Sequence, residues 1–247
     1  MSDFPYDLTG PIGARTLGLI VLQVDETIEQ DFRRLFAAPE VALHVSRVPS
    51  GAELTPDTIA TMETHLPAAA ALLPPAASFD AVGYACTSGT TLIGAERVAE
   101  LVGAHATTRV VTNPLTAALA AMRALGVQRI GIVSPYIASV AGPIRRAFEA
   151  GGFEVPETLS FGEEIEARVA RIDPQSIREA ALAIGRKPGI EAVFLSCTNL
   201  RTLDVIDGLE AELGIPVVSS NQALAWHMAR SSEAAVADTA PGRLFRL

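Results

Sequence analysis

The chain is predicted to be an α/β protein of two similar lobes, each an open doubly wound sheet of four parallel strands. A pseudo-twofold axis would relate the lobes and leave the active site between them. Three observations carry this. Short apolar runs end in turn or polar residues, helical stretches alternate with them, and the second half repeats the plan of the first. With 247 residues, 49% of them hydrophobic, the chain is long and apolar enough for one large domain or two small lobes.

Taken in order, Leu17–Leu22, Val41–Val48, Ala81–Ala85 and Thr108–Thr112 read as the first four buried strands. Arg129–Val133, Phe153–Val155, Ala192–Ser196 and Pro216–Ser219 read as the second four. Helices are expected at Thr27–Phe36, Pro56–Leu73, Leu115–Leu125, Ala141–Ala150, Pro174–Ile184 and Asp204–Leu213. Alternation on this scale calls for parallel sheets with right-handed crossovers. The repeat is visible directly. "LGLIVLQVDETIEQDFRRLF" is answered by "IGIVSPYIASVAGPIRRAFEAGGFEV", and "FDAVGYACTSGTTLIG" by "IEAVFLSCTNLRTLDV". The Cys-Thr pairs lie 111 positions apart and the strand starts at Gly18 and Gly131 lie 113 apart. A last helix, Asn221–Ala229, is expected to pack back on the first lobe. The divisions are therefore an arm at 1–16, a first lobe of 17–113 plus 221–247, and a second lobe of 114–220.

Composition narrows the function. A net charge of −9 repels nucleic acid and anionic lipid, so neither is expected as a partner. No apolar run approaches the roughly 18–20 residues of a membrane span. The stretch Met1–Arg15 lacks the basic start and apolar core of a signal peptide, which points to a cytoplasmic protein with a flexible arm. Two cysteines do not make a disulfide framework. His44, His65, His105 and His227 are scattered without ligand spacing, so no metal site is expected. Neither G-x-G-x-x-G nor G-x-x-x-x-G-K-[ST] occurs, so Rossmann-like lobes here imply no nucleotide, and no cofactor is expected.

The chemistry is expected at the strand ends. Cys86 closes an apolar strand and precedes Thr87, Ser88 and Gly89; Cys197 does the same before Thr198 and Asn199. Outward backbone N–H groups and the positive end of a following helix would favour a thiolate at each and lower its pKa. The neighbouring hydroxyls would donate to a carboxylate or enolate. A lone cysteine is often just a small buried hydrophobe. Two at equivalent repeat positions, each followed by Thr, point to a working pair. Tyr136, in "SPY" after the fifth strand, offers a phenol to a carboxylate or simply packs a helix end. Asp25 and Thr27 line the same edge after the first strand, where Asp25 serves equally well as a helix cap. Asn113 and Ser219–Asn221 also close strands.

These residues resemble the aspartate/glutamate racemase superfamily, and within it the branch holding maleate cis–trans isomerases and arylmalonate decarboxylases. The resemblance is carried by Tyr84–Thr90, Met122–Ile137, Glu166–Asp173, Ser196–Asp204, Gly214–Ser220 and Pro241–Phe245. It implies a small carboxylate bound between the lobes without a cofactor. It also implies Cys86 and Cys197 as the acid/base or nucleophile pair. Thr87, Ser88, Thr198 and Asn199 would hold carboxylate or enolate oxygens, with Tyr136 assisting. The decarboxylases resemble this chain only at Cys197, so the presence of both cysteines argues for racemisation or isomerisation. Where maleate isomerases carry Pro-Ser-Ser-Asn, this chain has Leu22–Gln23–Val24–Asp25. An acceptor-only carboxylate suits a dianion poorly. Asp25, with Glu163 or Glu164, suits a substrate bearing a cationic nitrogen, an amino-acid-like or cyclic amidine carboxylate. The racemase-like proteins of ectoine utilisation, which the chain also resembles, have substrates of that character.

The expected function is thus a cofactor-independent two-cysteine racemase or isomerase. One thiolate would remove an α-proton while the opposite thiol donates one. The alternative is maleate cis–trans isomerisation by thiolate addition, rotation and elimination. A non-catalytic small-molecule binder is a second alternative, and the sequence leaves open whether the chain forms a homodimer.

Overall fold

A computed structural model describes residues 4–53 and 55–247. Residues 1–3 of the expected arm lie outside the described residues. Eight strands alternate with ten α-helices among the described residues. In the first half these are β1 (Arg15–Leu22), α1 (Ile28–Leu35), β2 (Val41–Val48), α2 (Pro56–Ala71), β3 (Ala81–Ala85), α3 (Thr87–Ile93), α4 (Ala95–Gly103) and β4 (Val111–Thr112). Then come α5 (Pro114–Ala124), β5 (Arg129–Ser134), α6 (Ala138–Ala150), β6 (Glu154–Ser160), α7 (Glu166–Val169) and α8 (Pro174–Gly185). The chain ends with β7 (Ala192–Leu195), α9 (Ile206–Leu213), β8 (Val217–Ser219) and α10 (Ser220–Ser232).

The strands form two four-stranded sheets of order β2-β1-β3-β4 and β6-β5-β7-β8, parallel throughout. Numbering the second sheet from β5 gives the same order, so the repeat in the sequence is a repeat in topology. In each sheet the chain reverses its direction of winding between the first strand and the third. A crevice opens there beyond the carboxyl ends of the strands. The central strands are buried on both faces because helices cover both, which is why β1 and β7 read as unbroken apolar runs.

β6 is longer than its expected core at Phe153–Val155. It is an edge strand, exposed along most of its length and carrying Pro156, so apolar patterning reports little of it. β4 is shorter than Thr108–Thr112, with Thr108 making only an isolated bridge to Phe79. The last helix packs on β3 and α5 and touches α1, placing it against the first sheet. Gly83 permits that approach: a Cβ there would sit 2.7 Å from the Met228 sulfur. No helix among the described residues is long and apolar enough to cross a membrane.

Candidate active site

Topology assembles the site from four strand ends. Asp25 follows β1 and Cys86 follows β3 at one crevice; Tyr136 follows β5 and Cys197 follows β7 at the other. All four side chains are buried. The two cysteine loops are stitched to each other reciprocally. Thr198, after Cys197, donates its hydroxyl to the carbonyl of Ala85, the residue before Cys86, at 3.3 Å. Thr87, after Cys86, bonds to the Ser220 hydroxyl at 2.8 Å, and Ser220 accepts the Cys197 N–H at 3.0 Å. The hydroxyls of Thr87 and Thr198 thus join the loops that follow β3, β7 and β8.

Each sulfur meets one backbone N–H and one phenol. Cys86 caps α3, accepting from the Gly89 N–H at 3.1 Å, with the Ser88 hydroxyl 3.7 Å away and the Tyr84 phenol beside it. Cys197 meets the Asn199 N–H and the Tyr136 phenol. The pair differ in backbone. Cys86 has an ordinary φ of −147°, whereas Cys197 has a φ of +136°, a conformation L side chains rarely adopt. Strain of this kind costs about 1–3 kcal/mol and persists where packing over-determines it. No helix follows Cys197 at once; a turn intervenes before the short 3₁₀ segment Leu203–Val205.

The expectation of depressed thiol pKa values is corrected by this geometry. Burial pushes Cys86 up to about 11 and Cys197 well above its ordinary value, because ionising a sulfur out of water outweighs the N–H and hydroxyl donors. The negative field of Glu166 pushes both in the same direction. Both shifts favour the thiol form.

Glu166 is the residue that sequence reasoning missed. Glu163, one of the two glutamates expected here, is tied up outside the site. It pairs with Arg168 at 2.9 Å and caps the N–H groups of Glu164 and Ile165. Glu164 itself is exposed. Glu166, at the start of α7, is 3% exposed and acts electrostatically on both cysteines and on Tyr136. Burial raises its carboxyl to about 7, the Asn199 donation holds it down, and Asp25 raises it further. The only sequence signal available was that "EARVARID" carries the family resemblance.

Asn199 does not hold a free amide out to a ligand. Its Nδ2 donates to Glu166 Oε2 at 2.9 Å and to the Glu166 carbonyl at 3.2 Å, and its Oδ1 accepts from the Glu26 N–H at 2.9 Å. It positions Glu166. Asp25 does cap a helix, its Oδ1 accepting from Thr27 and Ile28 at 2.8 and 2.9 Å. The Thr198 side chain and the Arg47 charge also act on this carboxyl, but burial outweighs them and raises it. Asn113 caps α5 and Ser219 caps α10. Asn221 donates to Asp31 at 2.8 Å and to the Thr198 carbonyl at 2.9 Å.

Two loops close over this assembly. Glu53 bridges Ile165, and the Glu166 N–H donates to the Ala52 carbonyl at 3.0 Å, so a loop after β2 clasps the loop before α7. Behind the clasp lies a void of about 10 Å³, lined by residues including Ser50, Met62 and Glu166, with room for about one water. No cluster of three or more metal-ligating side chains occurs among the described residues.

The family model described as arylmalonate decarboxylase matches residues 52–245. The maleate isomerase of Nocardia farcinica is 25% identical over 245 residues, covering 95% of this chain and 97% of the relative. Among solved structures, a cysteine-to-serine variant of the N. farcinica maleate cis–trans isomerase carries a covalently bound succinylcysteine intermediate. It superposes with a TM-score of 0.85 at 24% identity, covering 94% of this chain and 98% of that one, a likeness of fold. A double mutant of arylmalonate decarboxylase in the liganded form gives a TM-score of 0.80 at 26% identity, covering 94% and 98%. With its doubled sheet and paired crevices, the chain belongs to the arylmalonate decarboxylase family, an enzyme family whose relatives here are isomerases and decarboxylases.

Proposed function

We propose that the protein is a cofactor-independent two-cysteine isomerase acting on a small carboxylate that also carries a cationic nitrogen. We read the lobes as 17–113 plus 221–247 and 114–220, with Cys86 and Cys197 delivering protons from opposite sides. The observation that carries the reading is the reciprocal stitching of the two cysteine loops, which brings both sulfurs under the field of the same Glu166. In racemisation one thiolate accepts the α-proton while the facing thiol donates its own, so the pair keeps its net charge through turnover. Tyr136, Ser88 and the N–H groups of Gly89 and Asn199 are donors that stabilise anionic oxygen or sulfur.

The substrate class follows from charge. Asp25 and Glu166 lie in the site, and Arg47, the guanidinium whose charge acts on Asp25, is occupied. It bonds the carbonyls of Leu22, Gln23 and Asp25 and pairs with Glu29. A dianion would meet carboxylates there; an amino-acid-like or cyclic amidine carboxylate would place its positive end against them. Maleate isomerisation is the second reading, favoured by the full-length match to the N. farcinica maleate isomerase.

Proton NMR in heavy water with aspartate, maleate, hydantoins, ectoine and N-acetylated diaminobutyrate separates the two. Exchange at one α-carbon, abolished by Cys86→Ser and by Cys197→Ser, is the expected result. Rapid conversion of maleate to fumarate without exchange would establish the second reading.

A further inference from the structure

We propose that Glu166 is a specificity-determining residue that couples substrate charge to cysteine activation: a cationic group pairing with its carboxylate frees the cysteines to ionise. The proposal rests on the two-cysteine reading above and gives Glu166, which there only meets the substrate's positive end, control over the cysteines as well.

The geometry is that of an incomplete ion site. Glu166 Oε2 is held by Asn199, and the residue lines the void behind the clasp. The buried carboxyl of Asp25 lies near enough to raise the Glu166 carboxyl. The groups facing Glu166 are Asp25 from the β1 end, Glu53 and Ser50 from the clasp, Cys86 from β3, Tyr136 from β5, and Cys197 with Asn199 from β7. None is a cation. A carboxylate placed over two thiols works against a thiol enzyme unless something neutralises it. A substrate ammonium or amidinium does so on arrival, removing the negative field from both sulfurs together. The thiolate then forms only when the site is filled, and its proton leaves to water.

A purely architectural role is separable, because the clasp uses the backbone N–H of Glu166 and not its carboxyl. Glu166→Gln keeps that bond and an oxygen for Asn199.

The test measures the rate at which methyl methanethiosulfonate modifies the two cysteines at about pH 8, followed by mass. Acetamidinium chloride, a cation without a carboxylate, is compared with sodium chloride at equal ionic strength. Neutralising one nearby charge is expected to speed modification of the wild type about tenfold. Glu166→Gln should already be faster without the cation and gain nothing from it, while Glu166→Asp should keep the response. Equal acceleration in Glu166→Gln, or none in the wild type, would overturn the proposal. The readout needs no turnover, so it can fail while the serine variants still uphold the catalytic reading, and the reverse.

Discussion

The positive φ of Cys197 makes a quantitative prediction about where this protein stores strain. At an ordinary buried position, Ala→Gly loses a methyl group worth about 0.8 kcal/mol and backbone entropy worth about 0.5–1 kcal/mol. Ala85, fully buried at the end of β3, supplies that benchmark, so Ala85→Gly should cost about 1.5 kcal/mol. At position 197 glycine also releases the conformational strain, about 1–3 kcal/mol, which alanine retains because it keeps a Cβ. Cys197→Gly should therefore range from about 0.5 kcal/mol less stable than Cys197→Ala to about 1.5 kcal/mol more stable. Urea unfolding of the four proteins at one pH measures this, with midpoints compared at equal m-values. A full Ala→Gly cost at position 197, matching that at Ala85, would refute the idea that the Cys197 loop is strained. Both variants at 197 should lack turnover.

Other residues make separate predictions. Burial raises Asp31 to about 6, against about 3.9 unfolded, so the folded protein holds this proton more tightly. Its contribution is complete below about pH 4 and is lost as pH rises through about 6, about 3 kcal/mol in all; Asp31→Asn should flatten that slope in urea titrations at successive pH values. Asn199→Ala removes the donations to Glu166 and the acceptor for Glu26, and should cost about 3–4 kcal/mol by chemical denaturation. It should also raise the Glu166 carboxyl above about 7, seen by carbon NMR of the labelled side chain. Gly89→Ala would place a Cβ 2.7 Å from the Tyr84 hydroxyl and 2.8 Å from the Cys86 sulfur. Because the clash falls on the Cys86 loop, steady-state kinetics should show at least about a hundredfold loss in kcat, a misplacement effect. Met228→Ala, which empties the contact between α10 and β3, should cost about 2–5 kcal/mol with the site's chemistry intact.

Much of the architecture is legible in the chain itself. The buried parallel strands announce themselves as unbroken apolar runs, and the Cys-Thr repeat spaced by 111 residues marks equivalent strand ends. Local sequence also names Cys86, Cys197, Tyr136 and Asp25 as strand-end side chains, because a short apolar run followed by polar residues can end in few other ways. The edge strand β6 is less legible, since solvent tolerates the polar residues and proline that interior strands exclude.

Tertiary structure decided the rest, because hydration and field depend on what lies opposite in space. Three glutamates sit within four residues in "EEIE", and nothing in their spacing says which turns inward. Arg168 and two backbone N–H groups hold Glu163 outside, and Asn199, from the loop after β7, receives Glu166. The state of the cysteines was decided the same way. Their strand-end position points to thiolates, but complete burial under the field of Glu166 raises both pKa values and favours the thiols.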